Sequence, residues 1–514
     1  MEKPEKILLF FKSGKFKSGK PEYKITSFVL LRVLGFVYFF AFLSLAMQVM
    51  PLIGSGGLMP ADNFLNLVGH QYNSRVDAFI KLPTIFWFNS SDKFLLILAW
   101  SGVVLSLILL LGFANVPLMF LLWLIYMSFV HIGQIFYSYG WEILLLETGF
   151  LAIFLCPLID LRPFYEPPRI VIWLFRWLAF RLFLGAGLIK IKADSCWRDL
   201  TCLYYHYETQ PIPNPLSRFL HFMPKIFQKF SVLWNHLIEL VVPFFVFYPA
   251  TARYTAGILL ISFQFILMAT GNFSFLNWIA IVPCIACFDD DFFKKILPVP
   301  FLKMAGKSRR RLYKLQHWSS VALLMVVLWL SIPVVENLTS HNQIMNASFN
   351  RLDFVNTYGV FGAIGRQRFE LIIEGTNDET INSQTRWKEY EFKYKPGNIY
   401  RQLPVIAPYQ PRIDWQIWFA AMESPNENPW LIHMVWKLLH NDKGTLSLLS
   451  NSPFPDNPPS YVRIQFYKYE FTNPQDNSGA YWKRNLIGTW IPPVSKSTPE
   501  LRQYIQAYGW NDYS

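Results

Sequence analysis

Apolar runs close to twenty residues long recur through the first two thirds of this chain, and they limit its fold more than any other feature. The first extends from about Thr26 to Met50. A helix rises about 1.5 Å per residue, so roughly twenty such residues cross the hydrocarbon core of a bilayer. Further runs lie at about 93–113, 116–138, 142–160, 170–190, 230–249, 252–271, 274–289 and 318–336. The expected fold is a multi-span α-helical membrane domain of about eight or nine helices over 25–336, followed by a soluble α+β or β-sandwich-like C-terminal domain over 337–514. Hydrophobic residues make up 53% of the 514, which suits a chain with the bilayer as a partner.

Charge orients the spans. Residues 1–24 form a basic segment with Lys3, Lys6, Lys12, Lys15, Lys17, Lys20 and Lys24, and the loop 292–317 carries eight lysines and arginines. Basic residues beside spans stay in the cytoplasm. Eight spans between these segments put both on one side, and the last span then delivers 337–514 to the lumenal or extracytoplasmic side. The loop 191–229 falls there too, although it is itself basic. The net charge of +13 flanks apolar runs, so it reads as membrane orientation, and no nucleic-acid partner is expected.

Polar chemistry is crowded into Gly185–Pro215, GAGLIKIKADSCWRDLTCLYYHYETQPIPNP. Lys190, Asp194, Trp197, Arg198, Asp199, His206 and Glu208 form a cluster at a membrane edge, where ionisable groups are costly and usually mark a site. Lys190 either snorkels to a carboxylate or, partly desolvated, acts as a base. Cys196 and Cys202 form a possible disulfide on the oxidising side, or remain two free thiols. Glu142 and Glu147 lie inside an apolar run; with Arg176 and Arg181 on the next span they either tie the bundle together or line a cavity with Lys190. Asn235, His236 and Glu239 share one helical turn. There is no phosphate-cradling glycine loop, no H-E-x-x-H and no G-x-S-x-G, so the chain does not read as a lipase itself. No cofactor and no metal site are expected.

Beyond residue 337 apolar and polar residues alternate. Arg368–Gly375 and Thr385–Lys395 read as neighbouring strands, as do Tyr461–Phe471 and Tyr481–Trp490. Trp415–Met422 and Pro429–Leu439 read as Trp-rich amphipathic helices.

The stretches GAGLIK (185–190), CWRDLTCL (196–203), YHYETQPIPNP (205–215), NHLIELVVP (235–243) and GNFSFLNW (271–278) resemble the lipase maturation factor family. The likeness continues through PYQPRIDWQIWFAA (408–421), PWLIHMVWKLL (429–439), LLSNSPF (448–454) and 481–493. It implies a multi-pass protein of the endoplasmic reticulum membrane, or of the inner membrane in a bacterial host. Its lumenal C-terminal domain would bind client secreted lipases and help dimeric ones fold and assemble. Trp415, Trp418, Trp430 and Trp436 become candidate client contacts, or core. More faintly, GLIKIKADSCW is similar to the membrane part of the vitamin K-dependent gamma-carboxylase, with Lys190 at the position of its base and two extra residues before Trp197.

Two functions follow. One is a membrane-anchored folding and assembly factor without catalytic chemistry. The alternative is an intramembrane enzyme with Lys190 as base, aided by Glu142, Glu147 or His206, which requires those side chains to converge on one pocket.

Overall fold

The computed structural model describes residues 21–161, 166–298, 314–510 and 513. The basic clusters Lys3–Lys20 and Lys303–Arg311 lie outside the described residues.

Each expected span has a helix. They are α1 (Lys24–Ile53), α2 (Asp92–Leu110), α3 (Val116–Ile132), α4 (Gly140–Ile153), α5 (Arg169–Ala193), α6 (Lys225–His236), α7 (Ala250–Thr270), α8 (Leu276–Ile285) and α9 (Lys314–Thr339). Among the described residues, six helical stretches, with α6 taken on to Phe247, are long and apolar enough to cross a membrane. The shorter α3, α4 and α8 pack among them. This is a multi-pass membrane bundle.

Hydrogen bonds fix the two ends of the bundle. At one end the carboxylate of Asp290 accepts from the backbone N–H groups of Lys24 (3.1 Å), Ile25 (2.9 Å) and Thr26 (3.2 Å), satisfying donors that a helix start leaves orphaned. At the other end Gln48 of α1 donates to the Gln410 carbonyl at 2.8 Å. The segment 194–221 lies at that same end, where Asp194 meets Arg366 and Arg218 donates to the Thr472 carbonyl.

α6 does not stay α-helical. It runs on as a π turn, Leu237–Val241, and then a 3-10 stretch, Val242–Phe247, with Pro243 at its start. Proline lacks the N–H that a regular helix needs there. The wider turn swings Glu239 toward α5, where Gly187 leaves room: a Cβ on Gly187 would lie 2.7 Å from the Leu240 side chain and 3.0 Å from the Glu239 Cβ. Gly185 serves the C-terminal region similarly, since a Cβ there would sit 2.7 Å from the Tyr358 carbonyl oxygen.

The C-terminal region holds a four-stranded antiparallel sheet, β1 (Arg368–Thr376), β2 (Lys388–Tyr390), β3 (Tyr461–Phe471) and β4 (Trp482–Val494), in the order β2-β1-β3-β4. Around it lie α10 (Arg412–Ala420), α11 (Pro429–Leu439) and α12 (Pro499–Ala507). The expected strand Thr385–Lys395 shrinks to Lys388–Tyr390 because other partners claim the rest. Glu391 N–H donates to the Asn451 side chain, and the N–H groups of Tyr394 and Lys395 donate to Asp414.

The region is not set apart from the membrane helices. One buried apolar cluster runs from Tyr38, Phe42 and Tyr126 of the bundle to Ile373, Trp415 and Trp430 of the C-terminal region. The expected α+β C-terminal region is present, and part of its apolar surface is buried against the bundle.

Candidate functional site

The charged residues inside the bundle mostly serve this junction. Arg412, at the start of α10, donates to the Glu142 carboxylate at 2.8 Å and to the Phe136 carbonyl at 2.7 Å. Its guanidinium lies over the Tyr137 ring, and the Tyr126 hydroxyl donates to the other Glu142 oxygen. Glu147 pairs with Arg181 and accepts from the Tyr358 hydroxyl (2.7 Å) and the Asn356 N–H (3.0 Å). Arg368 of β1 pairs with Glu370 and donates to the backbone carbonyls of Glu208 and Pro211, each at 2.9 Å, and of Gln210. Three buried cation–carboxylate networks therefore bolt the C-terminal region to the bundle. Arg176 is not part of them. It lies toward the other end, where it donates to the Ala286 carbonyl and the Tyr23 hydroxyl.

Lys190 is held closely. Its ammonium donates to both Glu239 oxygens (2.6 and 2.7 Å) and to Asn235 Oδ1 (3.1 Å), and it lies 5.0 Å from the centre of the Trp197 ring. The neighbouring His236 ring bonds the Trp197 carbonyl at 3.0 Å. The rest of the expected polar cluster disperses. Asp194 caps the Cys196 N–H and pairs with Arg366 at 2.8 Å; Arg198 is exposed and bonds the Ile191 carbonyl; Asp199 is exposed. Glu208 accepts from the Phe471 N–H at 2.7 Å, and burial pushes its carboxyl up from the ordinary range. Cys196 and Cys202 are joined in a disulfide beneath Trp197 and Ile364.

The convergence that an intramembrane enzyme requires is not found. Glu142 and Glu147 are each committed to a cation of their own, and Lys190 is committed to Glu239. Only Lys190 and His206 line a common cavity, of about 620 Å³ and mostly apolar, between α5, α6, α7 and α8. A second cavity, of about 480 Å³, lies between the bundle and the C-terminal region and is lined by His206, Gln210, Arg368, Trp415 and Trp418 among others. His206 thus stands in the wall between them, beside Phe273 and Phe361. Burial first, then the nearby Lys190 charge, push its imidazole down to about 3.

The tryptophans put forward as client contacts take structural places. Trp415, Trp430 and Trp436 are buried, Trp415 against Trp141 and Trp430 against Phe136. A partner cannot reach them without opening the core. Trp418 is half-buried and donates to the Thr209 carbonyl at 3.0 Å. Sequence reasoning missed Arg412 and Arg368. The signal for Arg368 was available: two charges of opposite sign, Arg368 and Glu370, share one face of an otherwise apolar strand.

Membrane helices joined to a C-terminal α+β region through a buried ion pair and buried hydrogen bonds define the class: a multi-pass membrane protein with a fused terminal domain. The chain belongs to the lipase maturation factor family, with residues 25–295 matching the lipase maturation factor transmembrane domain and 354–492 the lipase maturation factor C-terminal domain. Among its relatives, lipase maturation factor 1 of Bos taurus is 45% identical over 95% of this chain and 91% of that protein. Lipase maturation factor 1 of Homo sapiens is 44% identical over 95% and 90%. Lipase maturation factor 2 of Xenopus laevis is more distant, at 30% over 96% and 85%. No solved structure matches the chain.

Proposed function

We propose that this protein is a maturation factor for secreted lipases, without catalytic chemistry of its own. It would sit in the endoplasmic reticulum membrane with residues 337–514 in the lumen, where they bind client lipases, dimeric ones included. The observation that carries the reading is the 45% identity, along 95% of the chain, to a relative named lipase maturation factor 1. The committed charges support a binding role over an enzymatic one, because Lys190 is tied to Glu239 rather than held as a free base.

The client surface is placed on β4. It is the last strand of the sheet, and Leu486 and Ile487 on it are exposed. An uncovered strand edge offers unpaired N–H and C=O groups to another chain. A secreted lipase crosslinked to the full-length protein in microsomes tests this. Crosslinks should map to 482–494 and weaken strongly in Leu486→Lys; crosslinks confined to the bundle, or unchanged in the variant, would overturn the placement. Protease added to the cytosolic face should leave 337–514 intact, and digestion from that face would overturn the lumenal assignment.

A further inference from the structure

The 620 Å³ cavity has an apolar outer wall and buried polar groups in its lining. Leu216, Phe227, Phe230 and Ile266 line it and are exposed, so its mouth opens along α6 and α7 toward the hydrocarbon. Pockets of this volume take ligands of small-molecule size. Its buried polar lining includes His206 and Asn277, 7% and 2% exposed. His206 Nδ1 and Asn277 Oδ1 have no hydrogen-bond partner among the described residues. Buried polar atoms are almost always bonded, and each orphan asks for a partner.

Charge in the lining selects the kind of partner. Lys190, the cation that lines this cavity, is paired with Glu239, so an anionic headgroup would meet a cation already paired. Asn277 Oδ1 accepts, and the neutral histidine donates or accepts according to tautomer. A hydroxyl serves both. The wall also carries backbone strain. Phe361, whose ring packs 4.7 Å from that of His206, has φ of 53°, in the left-handed region that a side chain rarely adopts. Such outliers gather at ligand sites.

We propose that this cavity binds a neutral, hydroxyl-bearing acyl lipid of the monoacylglycerol class, drawn sideways from the bilayer. The acyl chain lies along α6 and α7, and the glycerol hydroxyls meet His206 and Asn277. No bond is made or broken. The site is independent of the client surface on β4, and its test reads lipid rather than lipase, so failure of one leaves the other standing.

The experiment uses the full-length protein in phosphatidylcholine nanodiscs and a monoacylglycerol with a diazirine in its acyl chain. Labelled peptides are mapped by mass spectrometry. Labelling should concentrate within 216–234 and 263–280. Excess monooleoylglycerol should suppress it, while octadecene and oleate should not. His206→Phe keeps a flat ring but removes the hydrogen bond, and should weaken this competition about 5- to 10-fold. Leu267→Trp fills the cavity from its half-exposed side and should abolish competable labelling; the competition series on the unaltered protein stands even if this variant does not fold. Labelling spread evenly over lipid-facing helices would overturn the proposal, and so would octadecene, oleate or a sterol competing as well as monooleoylglycerol.

Discussion

Arg412 and Glu142 form an ion pair at 2.8 Å with both side chains fully buried, and they belong to different halves of the chain. One begins helix α10 of the C-terminal region; the other sits in the first turn of membrane helix α4. Neither can be desolvated cheaply alone, so each half completes the other.

Removing one member should therefore be severe. Arg412→Met leaves Glu142 buried without its cation and should cost about 3–5 kcal/mol. Arg412→Met with Glu142→Leu removes both charges and should recover most of that loss. Thermal unfolding of the purified variants in detergent reads both, and additive losses would show that the pair is not coupled.

Lys190 and Glu239 allow a test of structural against catalytic use. Lys190→Met should lower stability and abundance, and Lys190→Met with Glu239→Leu should restore both along with client maturation. A catalytic base could not be restored by deleting its partner. Secreted lipase activity, normalised to the amount of the factor in the membrane, separates the outcomes.

The buried His206 sets a pH dependence. Its imidazole is pushed down to about 3 from 6.5, chiefly by burial, so between those values the unfolded chain binds a proton that the folded chain does not. The stability this contributes is complete above about pH 6.5 and is lost as the pH falls toward 3. Unfolding midpoints should decline from pH 7 to pH 5, and His206→Gln should flatten part of that slope. An unchanged slope in the variant would assign the pH dependence to other groups.

Tryptophan burial and strand exposure predict opposite phenotypes. Trp430→Ala opens the core between α11 and the bundle and should cost about 3–5 kcal/mol. Leu486→Lys lies on exposed surface and should shift stability by no more than about 0.5 kcal/mol while impairing client binding. Abundance and lipase capture, measured together, distinguish the two.

Much of this architecture was legible in the sequence because membrane spans announce themselves. Nine apolar runs became nine helices, since a bilayer admits few other folds for such segments. Strand β3, Tyr461–Phe471, and helix α11, Pro429–Leu439, also fall at the expected residues, because period-two alternation and a proline helix start are local signals. What stayed hidden was long-range. Nothing near Glu142 indicates that its partner lies 270 residues later, and the fusion of the two halves follows from that pair. The strand expected at Thr385–Lys395 failed for the same reason, since Asn451 and Asp414 compete for its backbone from distant positions. Lys190 stood out within a polar cluster, with no one carboxylate marked as its partner. Its ion pair with Glu239 became visible only when the π turn of α6 brought that carboxylate across.

The most direct test is rescue. In cells lacking their own lipase maturation factor, the specific activity of a secreted dimeric lipase should return on expression of this protein. It should not return with Leu486→Lys held at equal abundance in the membrane. A secreted lipase that stays inactive with the unaltered protein present, or that is fully rescued by the variant, would contradict the account.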